Sequence, residues 1–108
     1  AKQAANKYLN PNGTYNSKPN HPIIQSIYPN PAFRGEVDIL FGTNKTESAN
    51  LEIFDITGMK IKTIFANKTL ESGYHIHKID NSDLASGKYY VSFSNEIGSS
   101  GFFMIVEN

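Results

Sequence analysis

"SIYPNPAFRGEVDILF", Ser26 to Phe41, sets a Pro-Asn-Pro knot directly against a run that alternates apolar and polar residues. Proline has no N–H to give a sheet ladder, so Pro29 and Pro31 belong where the chain leaves one strand and enters another. The knot therefore separates a first strand, Ile23 to Tyr28, from a second, Glu36 to Phe41, which carries Val37, Ile39 and Phe41 on a single face.

The same texture continues downstream. Gly42 begins a polar loop. In "NLEIFDITG", Leu51 and Ile53 share a face with Glu52 opposite, and Asp55 to Gly58 makes a tight turn. Lys60 to Phe65 completes a hairpin. "ESGYHIHKID" supplies a strand after Gly73, "GKYYVSF" another with Tyr89, Val91 and Phe93 in phase, and "GFFMIV" a last one after Gly98 to Gly101. No long stretch carries a helical stripe, and "NSDLASG" closes one short turn that ends at Gly87. The chain is predicted to be all-β. Short strands bury their apolar faces only when two sheets pack together, so the expected fold is an immunoglobulin-like antiparallel β-sandwich of about seven strands. "LASGKY" fits this fold, because it places Tyr89 where a tyrosine corner would bond its hydroxyl to upstream backbone.

Composition narrows the function. The 108 residues balance 10 Lys plus Arg against 10 Asp plus Glu, so no general field attracts nucleic acid or anionic lipid. There is no cysteine, which removes disulfides, thiolate metal sites and cysteine catalysis. A hydrophobic fraction of 39% suits one modest core. No apolar run approaches the roughly 20 residues of a bilayer-spanning helix. The chain opens on Ala1 with polar residues instead of a signal core, and is expected to be a processed piece of something longer. Residues 1–21, rich in Asn and Lys and without a sustained period, read as a linker to an upstream domain; residues 22–108 read as the folded domain.

Each chemically suggestive residue has a plainer reading. His75 and His77 share a strand face, yet two ligands are too few for a metal, and they read as structural histidines. Asp55, Asp80 and Asp83 sit at turns, where carboxylates accept backbone N–H groups. No acidic spacing resembles a calcium loop, no serine stands in a nucleophile elbow, and no glycine-rich turn leads into a helix. No metal or cofactor is expected. The sequons at Asn12, Asn44 and Asn67 occur in a chain crowded with Asn and Lys, where such triplets arise by chance. Phe102 and Phe103 point to opposite faces of the last strand, and the exposed one is a candidate partner contact.

"YPNPA" at Tyr28 to Ala32, "GEVDILF", "LEIFDITGMKI" at Leu51 to Ile61, "SGYHIHKID" and "LASGKYYVSF" at Leu84 to Phe93, in this order, closely resemble the C-terminal sorting domain of the type IX (Por) secretion system of Bacteroidetes. The resemblance covers Ile23 to Val106. It implies an immunoglobulin-like sandwich that serves as an address on a secreted cargo protein and not as a catalyst. The implied partners are the upstream cargo domain, the outer-membrane translocon with its shuttle proteins, and a gingipain-like cysteine peptidase sortase. The sortase would cut in the Ala1 to His21 linker, and the cargo would reach the medium or the cell surface through the periplasm and outer membrane. Carried over by residue, Pro29, Asn30 and Pro31 match the family's first motif, Asp55 and Gly58 its central turn, and Leu84, Gly87 and Tyr89 the start of its terminal signal. Gly58 and Gly87 are expected at positive φ, and the Pro-Asn-Pro segment as a rigid, exposed elbow.

The chain departs from the family pattern in two places. The family's basic residue near the start of the last strand is absent from "SSGFFMIVEN", which has Phe102, Phe103 and then Glu107. His77 stands where an aliphatic residue is usual. A second class of function, an accessory carbohydrate-binding or adhesive module of a secreted enzyme, predicts a row of coplanar exposed aromatics on one sheet face.

Overall fold

The computed structural model describes Pro19, residues 21–96 and residues 98–107, so most of the expected linker and the Asn12 sequon lie outside the described residues. Eight strands follow in order among them: β1 (Ile23–Tyr28), β2 (Ala32–Phe33), β3 (Glu36–Thr43), β4 (Glu47–Asp55), β5 (Lys60–Leu70), β6 (Gly73–Asp80), β7 (Gly87–Ser94) and β8 (Ser99–Glu107). They form a three-stranded sheet, β1-β3-β6, and a five-stranded sheet, β2-β8-β7-β4-β5. The described residues contain no helix.

Alternation dictates the core. Val37, Ile39 and Phe41 from β3 meet Leu51 and Ile53 from β4 and Tyr89, Val91 and Phe93 from β7, with Met104 and Val106 of β8 closing one side. Phe41 and Phe93 pack with ring centroids 5.1 Å apart at a 38° tilt. Removing such a side chain from water contributes about 1.5–3 kcal/mol each, and for want of disulfides this packing is the main cohesive force. The hairpins β4–β5 and β7–β8 stay within the larger sheet, whereas the connections β3 to β4 and β5 through β6 to β7 cross between sheets. This is the all-β, immunoglobulin-like sandwich that the sequence implies.

Several details differ from the sequence reading. There are eight strands and not seven, because the two residues of β2 are too few to show a period. β2 runs parallel to β8, through Ala32 with Val106 and Phe33 with Glu107, so the sandwich is not wholly antiparallel. Gly42 does not begin a polar loop: it and Thr43 extend β3 and are buried. A Cβ on Gly42 would stand 2.9 Å from the Gly73 carbonyl oxygen and from Tyr74, which is why the position takes no side chain. Pro19, inside the expected linker, is buried and its ring lies against the same glycine. β5 continues past Phe65 to Leu70, with Asn67 at φ 53° and register shifts along its pairing with β4 marking where the strand bulges.

Candidate recognition surface

The Pro-Asn-Pro knot is the point at which the chain changes sheets, from β1 to β2. Both prolyl bonds, Tyr28–Pro29 and Asn30–Pro31, are cis. Between them the Asn30 side chain does what a strand backbone would do. Its Nδ2 donates to the Phe103 carbonyl at 2.8 Å and its Oδ1 accepts from the Ile105 N–H at 2.9 Å. The amide thus extends the short β2 ladder along β8, past the point where proline could supply a donor. Asn30 and Pro31 are exposed and Pro29 is half-buried.

Asp55 ends β4 and organises the following turn. Its Oδ1 accepts from the Thr57 N–H at 2.9 Å, the Met59 N–H at 3.0 Å and the Thr57 hydroxyl, while its carbonyl accepts from the Gly58 N–H. The Thr57 hydroxyl, then the Met59 amide, hold its carboxyl below the ordinary aspartate pKa of 3.8. Gly58 sits at φ 91°, a conformation that favours glycine. The turn leaves Ile56 and Met59 in solvent, 74% and 65% exposed.

At the third motif, Tyr89 donates its hydroxyl to the Ala85 carbonyl at 2.7 Å, forming the tyrosine corner. Leu84 and Tyr89 are buried in the core. Gly87 also has the expected positive φ, at 159°, though close to extended backbone. The corner depends on a residue that sequence reasoning passed over. Asn81 is fully buried; its Nδ2 donates to the Phe33 carbonyl at 3.0 Å, its Oδ1 accepts from the Gly35 N–H at 3.1 Å, and its carbonyl accepts from the Leu84 N–H. It ties the loop after β2 to the start of the corner.

These motifs, far apart in sequence, converge at one end of the five-stranded sheet. Ala32 and Gly87 both pair with Val106, and Tyr89 pairs with Met104 on one side and Asp55 on the other. On the outer face of that end runs a cross-strand row, Phe54 opposite Tyr90 opposite Phe103. Tyr90 lies across Gly101, where any Cβ would collide with its ring, and meets Phe103 edge-on at 5.2 Å and 65°. Lys88 places its ammonium 4.4 Å from the Phe103 ring centre. With Ile56 and the Asp55–Gly58 turn these side chains border a groove of about 510 Å³. Phe103 is the exposed member of the Phe102–Phe103 pair, at 52%. The inclined rings form walls and not the coplanar platform that the carbohydrate-binding reading requires.

The other suggestive residues have structural partners. His75 stacks on Phe41 and bonds through Nε2 to the Glu71 carbonyl, and His77 meets Phe65 edge-on. Burial, and then the nearby Lys68, press the His77 pKa below 6.5. Asp80 accepts from Ser82, as expected of a turn carboxylate, whereas Asp83 pairs instead with Lys62 of β5 at 3.0 Å. No cluster of three or more His, Asp or Glu able to hold a metal occurs among the described residues. Asn81, Ile56, Lys88, Gly101 and Tyr90 are among the site residues that sequence reasoning missed. For Gly101 and Tyr90 the signal was a glycine that lies inside β8, which starts at Ser99 and not after Gly101, since a glycine within a strand marks close approach of another group.

No curated protein matches this sequence. A family model described as "Secretion system C-terminal sorting domain" matches residues 26–107, from the residue before β1's last two positions to the end of β8, and so takes in the knot, the turn, the corner and the groove. The chain belongs to the family of type IX secretion system C-terminal sorting domains.

Proposed function

We propose that this domain is the label by which a cargo protein is taken across the outer membrane, that the translocon and its shuttle proteins read it in the periplasm, and that a gingipain-like sortase then cuts in the residues 1–21 linker. Membership of a sorting-domain family makes the cargo a secreted or cell-surface protein and ties it to the secretion machinery. The observation that carries the fuller reading is the convergence of Asn30, Asp55, Gly58, Gly87 and Tyr89 on one end of one sheet. There they support an exposed groove without forming a catalytic constellation. Leu84 and Tyr89 act from the core, and Pro29 and Pro31 set the point of sheet change. The role is that of an address, with no chemistry of its own.

The test is a fusion of Ala1 to Asn108 behind a signal peptide and a fluorescent reporter in a Bacteroidetes host. Export that disappears when the translocon is disabled is the expected result, with the reporter's new C-terminus marking the cut. Retention in the periplasm of a translocon-competent host would refute the reading.

A further inference from the structure

The groove has a definite chemistry. Its apolar walls are Ile56, Tyr90 and Phe103, exposed by 74%, 36% and 52%. Its two charged neighbours are Asp55 and Lys88. Asp55 stays ionised, but its Oδ1 is taken up by the Thr57 amide and hydroxyl and the Met59 amide of its own turn. Lys88 has no carboxylate partner among the described residues and is held only against the face of Phe103. Lys88 is therefore the charged group of the groove still free to take an ionic partner, whereas the Asp55 carboxylate is engaged in its turn.

From this complementarity we infer that the Ile56–Tyr90–Phe103 groove receives a protein surface of the secretion machinery that inserts an apolar side chain between the aromatic walls and sets a carboxylate beside Lys88. The inference rests on the sorting role proposed above. Because the whole chain has zero formal net charge, attraction at this face comes from apolar burial and one local cation, not from a general field. The walls are already in place: Gly101 lets Tyr90 lie flat on β8, Phe103 braces its edge, and Asn30 fixes the backbone on which Phe103 stands. Fixed aromatic walls cost little ordering entropy when a partner side chain enters. A second copy of the chain is a poorer occupant, since two-fold pairing of this face would set Lys88 against its own counterpart. A sugar ring is poorer too, because rings inclined at 65° offer no flat platform.

The test uses the reporter fusion with Phe103→Ser, Gly101→Ala, Lys88→Ala, Lys88→Arg and Lys88→Glu, each also purified and checked for cooperative melting. Gly101→Ala displaces Tyr90 with a change of one methyl and keeps a strand-compatible residue, so it serves where Phe103→Ser fails to fold. Relative to the unaltered fusion, export should fall about tenfold for Phe103→Ser and Gly101→Ala, as for loss of a central interface anchor. Lys88→Arg should keep export, Lys88→Ala should reduce it, and Lys88→Glu should reduce it several-fold further. Equal export of Lys88→Ala and Lys88→Glu would overturn the acidic partner. Normal export of all five folded variants would overturn the groove as the contact while leaving the sorting role intact, and failure of the unaltered fusion to leave the periplasm would overturn both.

Discussion

Truncating Asn81 should be among the most damaging single changes a polar residue of this domain can suffer. The Asn81→Ala variant keeps the main-chain bonds from Asn81 N–H to the Gly35 carbonyl and from Leu84 N–H to the Asn81 carbonyl, and loses the side-chain bonds to Phe33 and Gly35. The side chain is 0% exposed, so its removal leaves a small void and two groups without their partner. An orphaned buried partner costs about 1–3 kcal/mol. Here Phe33 is exposed and Gly35 half-buried, so water reaches the orphans in part, which sets the sum at about 2–3 kcal/mol. For a domain of this size that corresponds to a drop in Tm of roughly 10–20 °C. Urea denaturation should show a lower midpoint at unchanged slope, and amide exchange should accelerate at Gly35. The Asn81→Asp variant sharpens the test. It retains the acceptor for Gly35 but turns a carboxylate oxygen toward the Phe33 carbonyl, so its folded pKa should rise above the unfolded value of about 3.9. Its stability should then be fullest below that pH and be lost as pH rises through the folded pKa. If Asn81→Ala changed stability by less than about 0.5 kcal/mol, a surface-like effect, the bridge would not be what holds β2 to the corner.

Three further outcomes follow from the same geometry. Tyr89→Phe removes the bond to Ala85 while keeping the buried ring, and because Ala85 is exposed and its carbonyl can find water, urea melts should show a loss of about 1 kcal/mol and not more than about 2. Gly58→Ala, at φ 91°, should cost about 1 kcal/mol, whereas Gly87→Ala, at φ 159°, should cost less; equal losses by denaturant titration would contradict the difference in backbone. His77 has a folded pKa below its unfolded 6.5, so the native state binds fewer protons: stability is fullest above pH 6.5 and declines as pH falls from there to the folded pKa, a slope that His77→Gln should flatten in melts run across that window.

How much of this was legible in the sequence depended on whether a feature repeats along the chain or forms across it. The strand β7 emerges from period-2 alternation, since burying one face of a strand imposes that period on Tyr89, Val91 and Phe93, whereas in β1 the register shift between Ile24 and Ser26 sets the buried Ile24 and Ile27 three apart. Tyr89 was placed in its corner because the bond is local, to a residue four positions back. β2 was invisible because its pairing partners, Val106 and Glu107, and the Ile105 amide that the neighbouring Asn30 side chain holds, lie more than 70 residues away. β3 was cut short because Gly42 and Thr43 look like a loop; the approach of Tyr74 and Gly73 decides otherwise. The groove was legible only as an exposed Phe at position 102 or 103, for nothing in one strand announces that Tyr90 will lie over Gly101 in another.

The motif residues and the groove residues divide the work in a way that burial makes plain. Leu84 and Tyr89 are 6% and 8% exposed, and the Asp55 carboxylate is spent on its own turn, so little of these groups is available to a partner. Their effect is geometric. Asp55 and Gly58 hold out Ile56, Tyr89 fixes the start of the strand that carries Lys88 and Tyr90, and Asn30 fixes the strand that carries Phe103. A frame residue and a contact residue then leave different marks when altered. Loss of the Tyr89 hydroxyl or the Gly58 conformation appears first as lost stability, and impairs export only as far as it loosens the groove. Loss of Phe103 or reversal of the Lys88 charge removes contact area or complementarity from an exposed surface, where stability responds weakly. A motif can therefore define a sorting family while the partner touches its neighbours, and the residues that discriminate partners are found by following what the motif holds in place.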